Sequence, residues 1–313
     1  EIKECDWSSD VCSSDLFRWA EKGFAGAPVL RGLDFRVGPG EVYGLLGPNG
    51  CGKSTAINLL CGLLDPDRGE VLVQGRPADA AARRRIGFAP QEIALYRDLT
   101  CAENLRFFGE VYGVPRDRLR ARVQELLDRF GLSRFPAIPA SALSGGWQRR
   151  LNLAVALVHS PAALVLDEPT AAVDIAARHE LWQLIEQLRG QGLALLLTTH
   201  HLDEAERLCD RIGIMQDGAI RAEGSAEELL RRVPAAQVAL VEAPRQSEED
   251  RVQARAAALG WPVRRYAGRL GLLQPSPLSL RQTVDLLEGL DITSLSLQPV
   301  RLEHAYLEVL AAA

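Results

Sequence analysis

A glycine-rich segment followed by lysine and serine has the residue types and spacing of a phosphate-binding loop. Residues 47–55 read GPNGCGKST and fit the pattern G-x-x-x-x-G-K-[ST]. Glycines let backbone N–H groups close around phosphate oxygens, and the helix that follows turns its positive end toward the same anion. We expect Lys53 to reach the β- and γ-phosphates of a nucleotide and the Ser54 hydroxyl to bind Mg²⁺. The predicted loop comprises Gly47, Pro48, Asn49, Gly50, Cys51, Gly52, Lys53, Ser54 and Thr55.

Two carboxylates at the end of a second apolar strand complete this chemistry. Residues 41–46 predict a buried strand before the loop, and residues 163–168 read ALVLDE. Asp167 is placed to hold Mg²⁺, as the aspartate after such a strand does in P-loop ATPases. Glu168 is placed to take a proton from an attacking water. The alternative is a solvated acidic turn after a core strand.

Further motifs follow in the order and spacing of one protein family. Residues 143–148 read LSGGWQ and look like the LSGGQ signature, while Gln91 ends the segment FAPQ and looks like a Q-loop glutamine. His200 ends LTTH, like a switch histidine, and Asp174 ends AAVD at the D-loop position. With the phosphate loop and the acidic pair, these motifs resemble the ATPase subunit of an ABC transporter over about residues 17–230.

The resemblance implies a fold and a set of partners. The fold is α/β, a P-loop NTPase core of the ABC ATPase type with a helical signature subdomain at about residues 95–150. ATP and Mg²⁺ are the implied ligands, and two ATP molecules would lie between two head-to-tail subunits, as a homodimer or with a paired ATPase subunit. An integral membrane permease subunit on a separate chain would receive the motion.

The resemblance also assigns roles to individual residues. Catalytic roles fall to Glu168, His200, Gln91 and Lys53, and the Mg²⁺ ligands are Ser54, Gln91 and Asp167. Further nucleotide contacts are expected from Phe24, Ser144, Gly145, Gly146 and Asp174.

Four positions leave alternatives open. Trp147 replaces the usual signature glutamine, with an effect on affinity that the sequence does not determine. Phe24 either stacks on adenine or belongs to the core. Cys51 is either a reactive thiol, because a helix N-terminus and a lysine favour thiolate, or a thiol turned into the core. His201 competes with His200, which is preferred because a helix then starts at the expected distance.

Composition limits the function. The chain has 313 residues, with a formal net charge of −5, so it lacks the basic footprint of a nucleic-acid-binding protein. Apolar runs are shorter than the roughly 20 residues that span a bilayer, which places the membrane part on another chain. The six cysteines form no C-x-x-C pair, and a reducing cytosol is the simplest setting. We therefore expect a peripheral protein at the cytoplasmic face of the cell membrane.

The direction of transport and the competing functions depend on other segments. Residues 95–105 read LYRDLTCAENL and resemble exporter ATPases. The alternative is a soluble ABC ATPase acting on DNA or ribosomes. Only about ninety residues separate the phosphate loop from the signature, without sustained heptads, which argues against the DNA-bound type. A non-hydrolysing regulatory subunit is disfavoured by the presence of Glu168 and His200.

Three segments are expected along the chain. Residues 1–16 resemble the translation of a sequencing-adapter oligonucleotide and are interpreted as a non-native or disordered leader rather than a signal peptide. Residues 17–232 form the ATPase domain. Residues 233–313 follow the order β-α-β-β-α-β and predict a small α+β accessory domain of the ferredoxin-like type, closed by a last helix.

Overall fold

A computed structural model of the chain describes residues 14–266 and 268–311. They divide into two units, of which the first ends at Ser225 and the second begins at Ala226, rather than at the predicted boundary between residues 232 and 233. The first strand already begins at Ser14, inside the predicted leader, because its backbone pairs with Val37. The rest of that leader, residues 1–13, lies outside the described residues.

The first unit combines strands and helices in the alternating order that the sequence indicates. Its strands are β1 (Ser14–Phe24), β2 (Ala27–Val37), β3 (Val42–Leu46), β4 (Arg68–Val73), β5 (Arg76–Pro77), β6 (Ile86–Ala89), β7 (Ala163–Asp167), β8 (Ala194–Thr198), β9 (Arg211–Gln216) and β10 (Ala219–Gly224). Its helices are α1 (Lys53–Cys61), α2 (Ala80–Arg83), α3 (Cys101–Val111), α4 (Arg116–Arg129), α5 (Gly145–Ala156), α6 (Ile175–Gly190) and α7 (Leu202–Leu208).

A six-stranded sheet in the order β10-β9-β3-β8-β7-β6 forms the centre of the first unit. Its neighbouring strands from β9 to β6 are parallel, and β10 pairs antiparallel with β9 at one edge. Because parallel strands present their carboxyl ends at one edge of the sheet, the segments after β3, β6, β7 and β8 all emerge there. These four segments carry the phosphate loop, Gln91, the acidic pair and His200.

Both faces of this sheet are buried, which explains why its strands read as continuous apolar runs. On β7, Val165 packs into the core shared with β1, β2 and α1, whereas Leu164 and Leu166 pack into the core shared with α3 to α6. Successive side chains of a strand point to opposite faces, so one five-residue strand serves two cores.

A second sheet of the first unit, in the order β2-β1-β4-β5, is antiparallel. Leu33, Phe35 and Val37 of β2 are buried, while the residues between them are exposed, as the alternating pattern predicts. Phe35 stacks on Tyr43 of β3, with ring centroids 4.7 Å apart. The contact joins the antiparallel sheet to the strand that leads into the phosphate loop.

The predicted helical subdomain corresponds to α3, α4 and α5. The Thr100 side chain accepts from the backbone of Glu103, whose own side chain accepts from the Thr100 N–H, so a capping box starts α3. Leu119, Val123 and Leu126 of α4 are buried, and their spacing in the sequence is that of one face of a helix. They pack with α5, which carries the signature residues at its N-terminus.

The second unit contains a sheet in which neighbouring strands are all antiparallel and β13 lies between β12 and β11. Among the described helices of the whole chain, none is both long and apolar enough to cross a membrane. The elements of this unit are α8 (Ala226–Leu230), β11 (Gln237–Glu242), α9 (Gln246–Ala258), β12 (Val263–Tyr266), β13 (Arg269–Gln274), α10 (Leu280–Leu286), β14 (Ser294–Pro299) and α11 (Leu302–Ala311).

Candidate functional site

The phosphate loop is shaped by close contacts that only glycine permits. A Cβ atom at Gly47 would lie 2.4 Å from the carbonyl oxygen of Met215, on β9, and 2.5 Å from Cys51 Sγ. Gly52 has φ of 115° and precedes α1, and a Cβ there would lie 2.8 Å from Met215 Cε. The loop is tied to the β9–β10 turn because Gly218 N–H donates to Cys51 O at 3.1 Å. Close backbone packing therefore fixes the cradle that the sequence predicts.

Lys53 points back into this loop. Its Nζ donates to Gly47 O at 2.7 Å and to Pro48 O at 3.1 Å. The ammonium group thus lies inside the curve of the loop, beside the first turn of α1, where an anion would meet both the charge and the helix end. Ser54 follows on α1 and is exposed.

Two residues that are distant in sequence converge on the carboxylate of Glu168. Gln91 Nε2 donates to Glu168 Oε2 at 2.8 Å, and His200 Nδ1 lies 2.9 Å from Glu168 Oε1. The Glu168 side chain is 13% exposed, whereas that of His200 is 52% exposed. The ring of His201 packs on that of His200 at 4.2 Å without contacting Glu168. Of the two candidate histidines, His200 is the one that the structure brings to the carboxylate.

Asp167 is held by a residue that the sequence interpretation did not include. Thr198 Oγ1, at the end of β8, donates to Asp167 Oδ1 at 2.5 Å. The next residue, Glu168, has φ of 45°, and its N–H donates to Thr198 O at 2.9 Å. Thr198 therefore fixes both acidic residues, and the polar end of an otherwise apolar strand was the signal that could have identified it.

The signature residues form the start of α5. Ser144 is the N-cap residue and its side chain makes no capping hydrogen bond, and Gly145 has open space where a Cβ would be. Gly146 is more confined, since a Cβ there would lie 2.8 Å from Ala177 Cβ. No hydrogen bond within residues 14–266 joins Ser144, Gly145 or Gly146 to the phosphate loop. The first N–H groups of α5 therefore make no hydrogen bond to this chain's own phosphate loop among these residues.

Trp147 replaces the signature glutamine and is held by cations and an aromatic ring. Its ring lies 4.4 Å from Arg150 Cζ and 4.9 Å from Arg134 Cζ, and it meets the Phe135 ring edge-on at 5.0 Å. These cation–π and aromatic contacts hold the Trp147 ring in place. The side-chain amide of the neighbouring Gln148 donates to the main-chain oxygens of Ala140 and Leu143, before the helix.

The segment before Gln91 is tied to the signature helix by two side chains that the sequence interpretation missed. Arg149 Nη1 donates to Pro90 O at 3.0 Å, and Asn152 Nδ2 donates to the same oxygen at 3.3 Å. Burial lowers the pKa of Arg149, which is 8% exposed. The spacing of Arg149 and Asn152 on one face of α5 could have identified them, but residues on a buried helix face are more simply interpreted as core residues.

The structure gives the exposure and contacts of two residues for which the sequence left alternatives open. Phe24 is 45% exposed at the end of β1, so it does not belong to the core, and Lys22 Nζ lies 5.8 Å from its ring centroid. Cys51 is only 6% exposed and packs in the apolar core around α1, which favours the core alternative, although its Sγ also lies 3.9 Å from Lys53 Nζ. Asp174 caps α6, because its side chain accepts from Ala177 N–H at 3.0 Å.

The chain shares this set of features with known proteins. The sequence profile of the family described as ABC transporter matches residues 30–171. The Nod factor export ATP-binding protein I of Burkholderia lata is 44% identical over 217 residues, which cover 68% of this chain and 71% of that protein. The linearmycin resistance ATP-binding protein LnrL of Bacillus subtilis is 39% identical over 216 residues, covering 68% of this chain and 70% of that protein.

A solved structure supports the same relationship. A dimeric bacterial ABC transporter cassette matches with a TM-score of 0.60 and 27% identity, over 67% of this chain and 98% of that chain. The matched segments cover more than two thirds of each of the two relatives, at 44% and 39% identity. The chain therefore belongs to the ABC transporter family as an ATP-binding subunit, and the members of that family are ATPases.

Proposed function

We propose that the chain hydrolyses ATP at the carboxyl edge of its six-stranded sheet and thereby powers an exporter. The observation that carries this proposal is the convergence of Gln91 and His200 on the Glu168 carboxylate. A carboxylate flanked by a donor on each oxygen is oriented and can accept a proton from a water aligned with the γ-phosphate. Lys53 would neutralise charge on the transferred phosphoryl group from inside the phosphate loop.

The residues present fit a Mg²⁺ ion. Ser54, at the first turn of α1, and Asp167, held by Thr198, supply the hydroxyl and carboxylate oxygens that Mg²⁺ prefers, and the Gln91 amide oxygen is the third proposed ligand. When bound, the ion would neutralise charge that develops on the phosphate oxygens. Gln91 donates its amide nitrogen to Glu168, which leaves the amide oxygen available for a ligand.

Two copies of this subunit would share the nucleotides. The free N-terminus of α5 suits the γ-phosphate of a nucleotide held by a second subunit, through Ser144, Gly145 and Gly146. Asp174 would contact the partner next to its helix cap, and the exposed Phe24 would stack on adenine. The cassette to which the chain is similar is dimeric, which supports a dimer, and the proposed arrangement is head to tail with a second copy or with a paired ATPase subunit.

An exposed apolar surface after Gln91 supports coupling to a separate membrane permease. Ile93, Tyr96 and Phe107 are 36%, 49% and 37% exposed, and the rings of Tyr96 and Phe107 lie 4.5 Å apart. An apolar patch on a solvent-exposed surface is typical of a protein interaction site. The names of the two relatives, an export protein and a resistance protein, favour export at the cytoplasmic face of the membrane.

The second unit is proposed to be a ferredoxin-like accessory domain. Its sheet order, β12-β13-β11-β14, places β13 between two strands that run in the same direction, which is the split βαβ arrangement. Its buried side chains form an apolar core beneath α9 and α10. We assign it a structural or dimer-stabilising role.

The test combines hydrolysis with the identification of the partner. The purified chain should hydrolyse ATP in the presence of Mg²⁺ and lose this activity as Lys53→Ala. The tagged chain, recovered from membranes in mild detergent, should carry an integral membrane protein identified by mass spectrometry. Recovery of the chain with ribosomes or DNA instead would favour the soluble alternative. The proposal would be rejected if the chain showed no Mg²⁺-dependent hydrolysis and was recovered with neither a membrane protein nor ribosomes or DNA.

A further inference from the structure

Glu204 is a buried carboxyl group of the first unit that the proposed mechanism does not use. It is 0% exposed, and its Oε1 accepts from Thr170 Oγ1 at 2.9 Å and from Trp182 Nε1 at 3.0 Å. Its Oε2 is buried and has no hydrogen-bond partner among the described residues. A buried oxygen without a partner costs free energy that an apolar residue of similar shape would avoid. The presence of Glu204 therefore requires a reason beyond packing.

The position of Glu204 links the two segments that carry the candidate catalytic residues. Thr170 lies in the loop after β7, two residues beyond Glu168, and Glu204 lies on α7, four residues beyond His200. The Thr170 hydrogen bond thus joins the loop after β7 to the helix after β8. The same two segments bring Glu168 Oε1 and His200 Nδ1 to 2.9 Å.

The backbone of Glu168 gives this link a specific task. Its φ of 45° is unfavourable for a residue with a side chain, so the surroundings must hold it. One attachment is the hydrogen bond to Thr198 O, and another is the turn closed by Ala171 N–H and Glu168 O at 3.1 Å. Thr170 lies inside that turn, where Glu204 holds its hydroxyl. Without Glu204 the turn can relax and displace the Glu168 carboxylate from His200.

We propose that Glu204 is a positioning residue for ATP hydrolysis, which fixes the Glu168–His200 contact through Thr170. This inference rests on the proposed ATPase function. The phosphate loop is attached independently, through Gly218 N–H and Cys51 O, so Glu204 acts on turnover more than on ATP binding.

The test compares Glu204→Ala with Glu206→Ala in the full chain, because Glu206 is an exposed glutamate on the same helix. We expect kcat of Glu204→Ala to fall about 10²-fold, the cost of misplacing a catalytic group by about 1 Å. Its affinity for a fluorescent ATP analogue should change far less, and Glu206→Ala should behave as wild type. Glu204→Gln should recover most of the rate, since its amide oxygen still accepts from both donors.

A second pair of variants changes Thr170, the donor of the hydrogen bond to Glu204. This pair remains informative if Glu204→Ala does not fold. Thr170→Val removes the donated hydrogen bond and should lower kcat, whereas Thr170→Ser keeps the hydroxyl and the rate. A readout independent of activity is the NMR signal of the Trp182 indole N–H, assigned with Trp182→Phe. That signal should move in Glu204→Ala and stay in place in Glu206→Ala.

The outcomes separate this inference from the proposed function. A wild-type chain without ATPase activity would reject the proposed function. If the wild type is active and Thr170→Val retains full turnover, the positioning role of Glu204 is rejected and the proposed ATPase function stands. Equal losses of turnover and ATP affinity in the folded variants would overturn it as well, because they would indicate a general loss of structure.

Discussion

The two units differ in how much unfavourable backbone geometry they contain. In the described parts of the chain, seven non-glycine residues have positive φ, and all of them belong to the first unit. Each such residue costs about 1–3 kcal/mol and persists only where its surroundings hold it in place. The seven are Trp19, Ala25, Gln74, Ser160, Glu168, Ala172 and Asp217.

The described non-glycine residues of the second unit all have negative φ instead. Ser279 and Gln282 form a capping box at the start of α10, and Arg264 binds Glu308 through two hydrogen bonds of 2.6 and 3.0 Å. The first unit places Glu168, one of its strained residues, at the centre of the candidate site. We place the chemistry in the first unit because Glu168 lies there, held by the fold in a backbone conformation that the local sequence disfavours.

The largest expected effect concerns the strained carboxylate itself. Glu168→Gln keeps the size of the side chain but removes the general base, so we expect turnover to fall by about 10²–10⁴-fold. ATP binding and the melting temperature should stay near those of wild type, because the contacts of the phosphate loop are untouched. Wild-type turnover in this variant would show that another residue is the general base. The positive φ of Glu168 would then have no catalytic role.

The next effect compares tight glycines in the two units. Gly47→Ala places a methyl group against Met215 O, and Gly271→Ala places one 2.3 Å from the Tyr266 ring, so each should lower stability by about 1–3 kcal/mol. Only Gly47→Ala should also abolish ATP binding. Denaturant unfolding and nucleotide titration measure the two properties.

A matched control for these glycines is Gly190→Ala at the end of α6. A Cβ there has open space, so the substitution should be neutral or stabilising by up to about 1 kcal/mol. Loss of ATP binding in Gly271→Ala would contradict the assignment of chemistry to the first unit alone.

A smaller effect is expected from pH in the second unit. His304 is 3% exposed, its Nδ1 accepts from Arg301 N–H at 2.9 Å, and burial lowers its pKa below the usual value. The unfolded chain, with a histidine pKa of about 6.5, then binds more protons, so stability falls as pH drops through and below that value.

The matched variant for this prediction is His304→Gln, which cannot be protonated. Its stability should depend less on pH between the unfolded pKa and the lowered folded pKa, as measured by denaturant unfolding of the full chain. ATPase activity of the folded variant should remain. An identical pH dependence in wild type and variant would show that His304 does not contribute.

The smallest effect is expected at Cys51. Because its thiol is 6% exposed, maleimide should label it slowly and leave ATPase activity intact in the double variant Cys5→Ser, Cys12→Ser. Burial also raises the pKa of Cys61 to about 11, which disfavours the thiolate there. Rapid loss of activity that Cys51→Ala prevents would restore the reactive-thiol interpretation and show that the loop opens.

Features that depend on neighbouring residues could be predicted from the sequence alone. The phosphate loop is a contiguous segment, so its motif predicted the turn, the glycine cradle and the start of α1. The buried face of α4 followed from helical spacing, and the alternation in β2 followed from the pleat. In the second unit, the order of strands and helices was predicted closely for the same reason.

Which distant side chains meet depends on the tertiary fold. Gln91, Glu168 and His200 come together because β6, β7 and β8 are neighbours in one parallel sheet, an arrangement that spacing along the chain does not specify. The partners of Glu204 and the burial of Cys51 depend on the same packing. A hydrogen bond between residues far apart in sequence is set by strand order and direction, so the motifs identified the participants and the fold supplied their contacts.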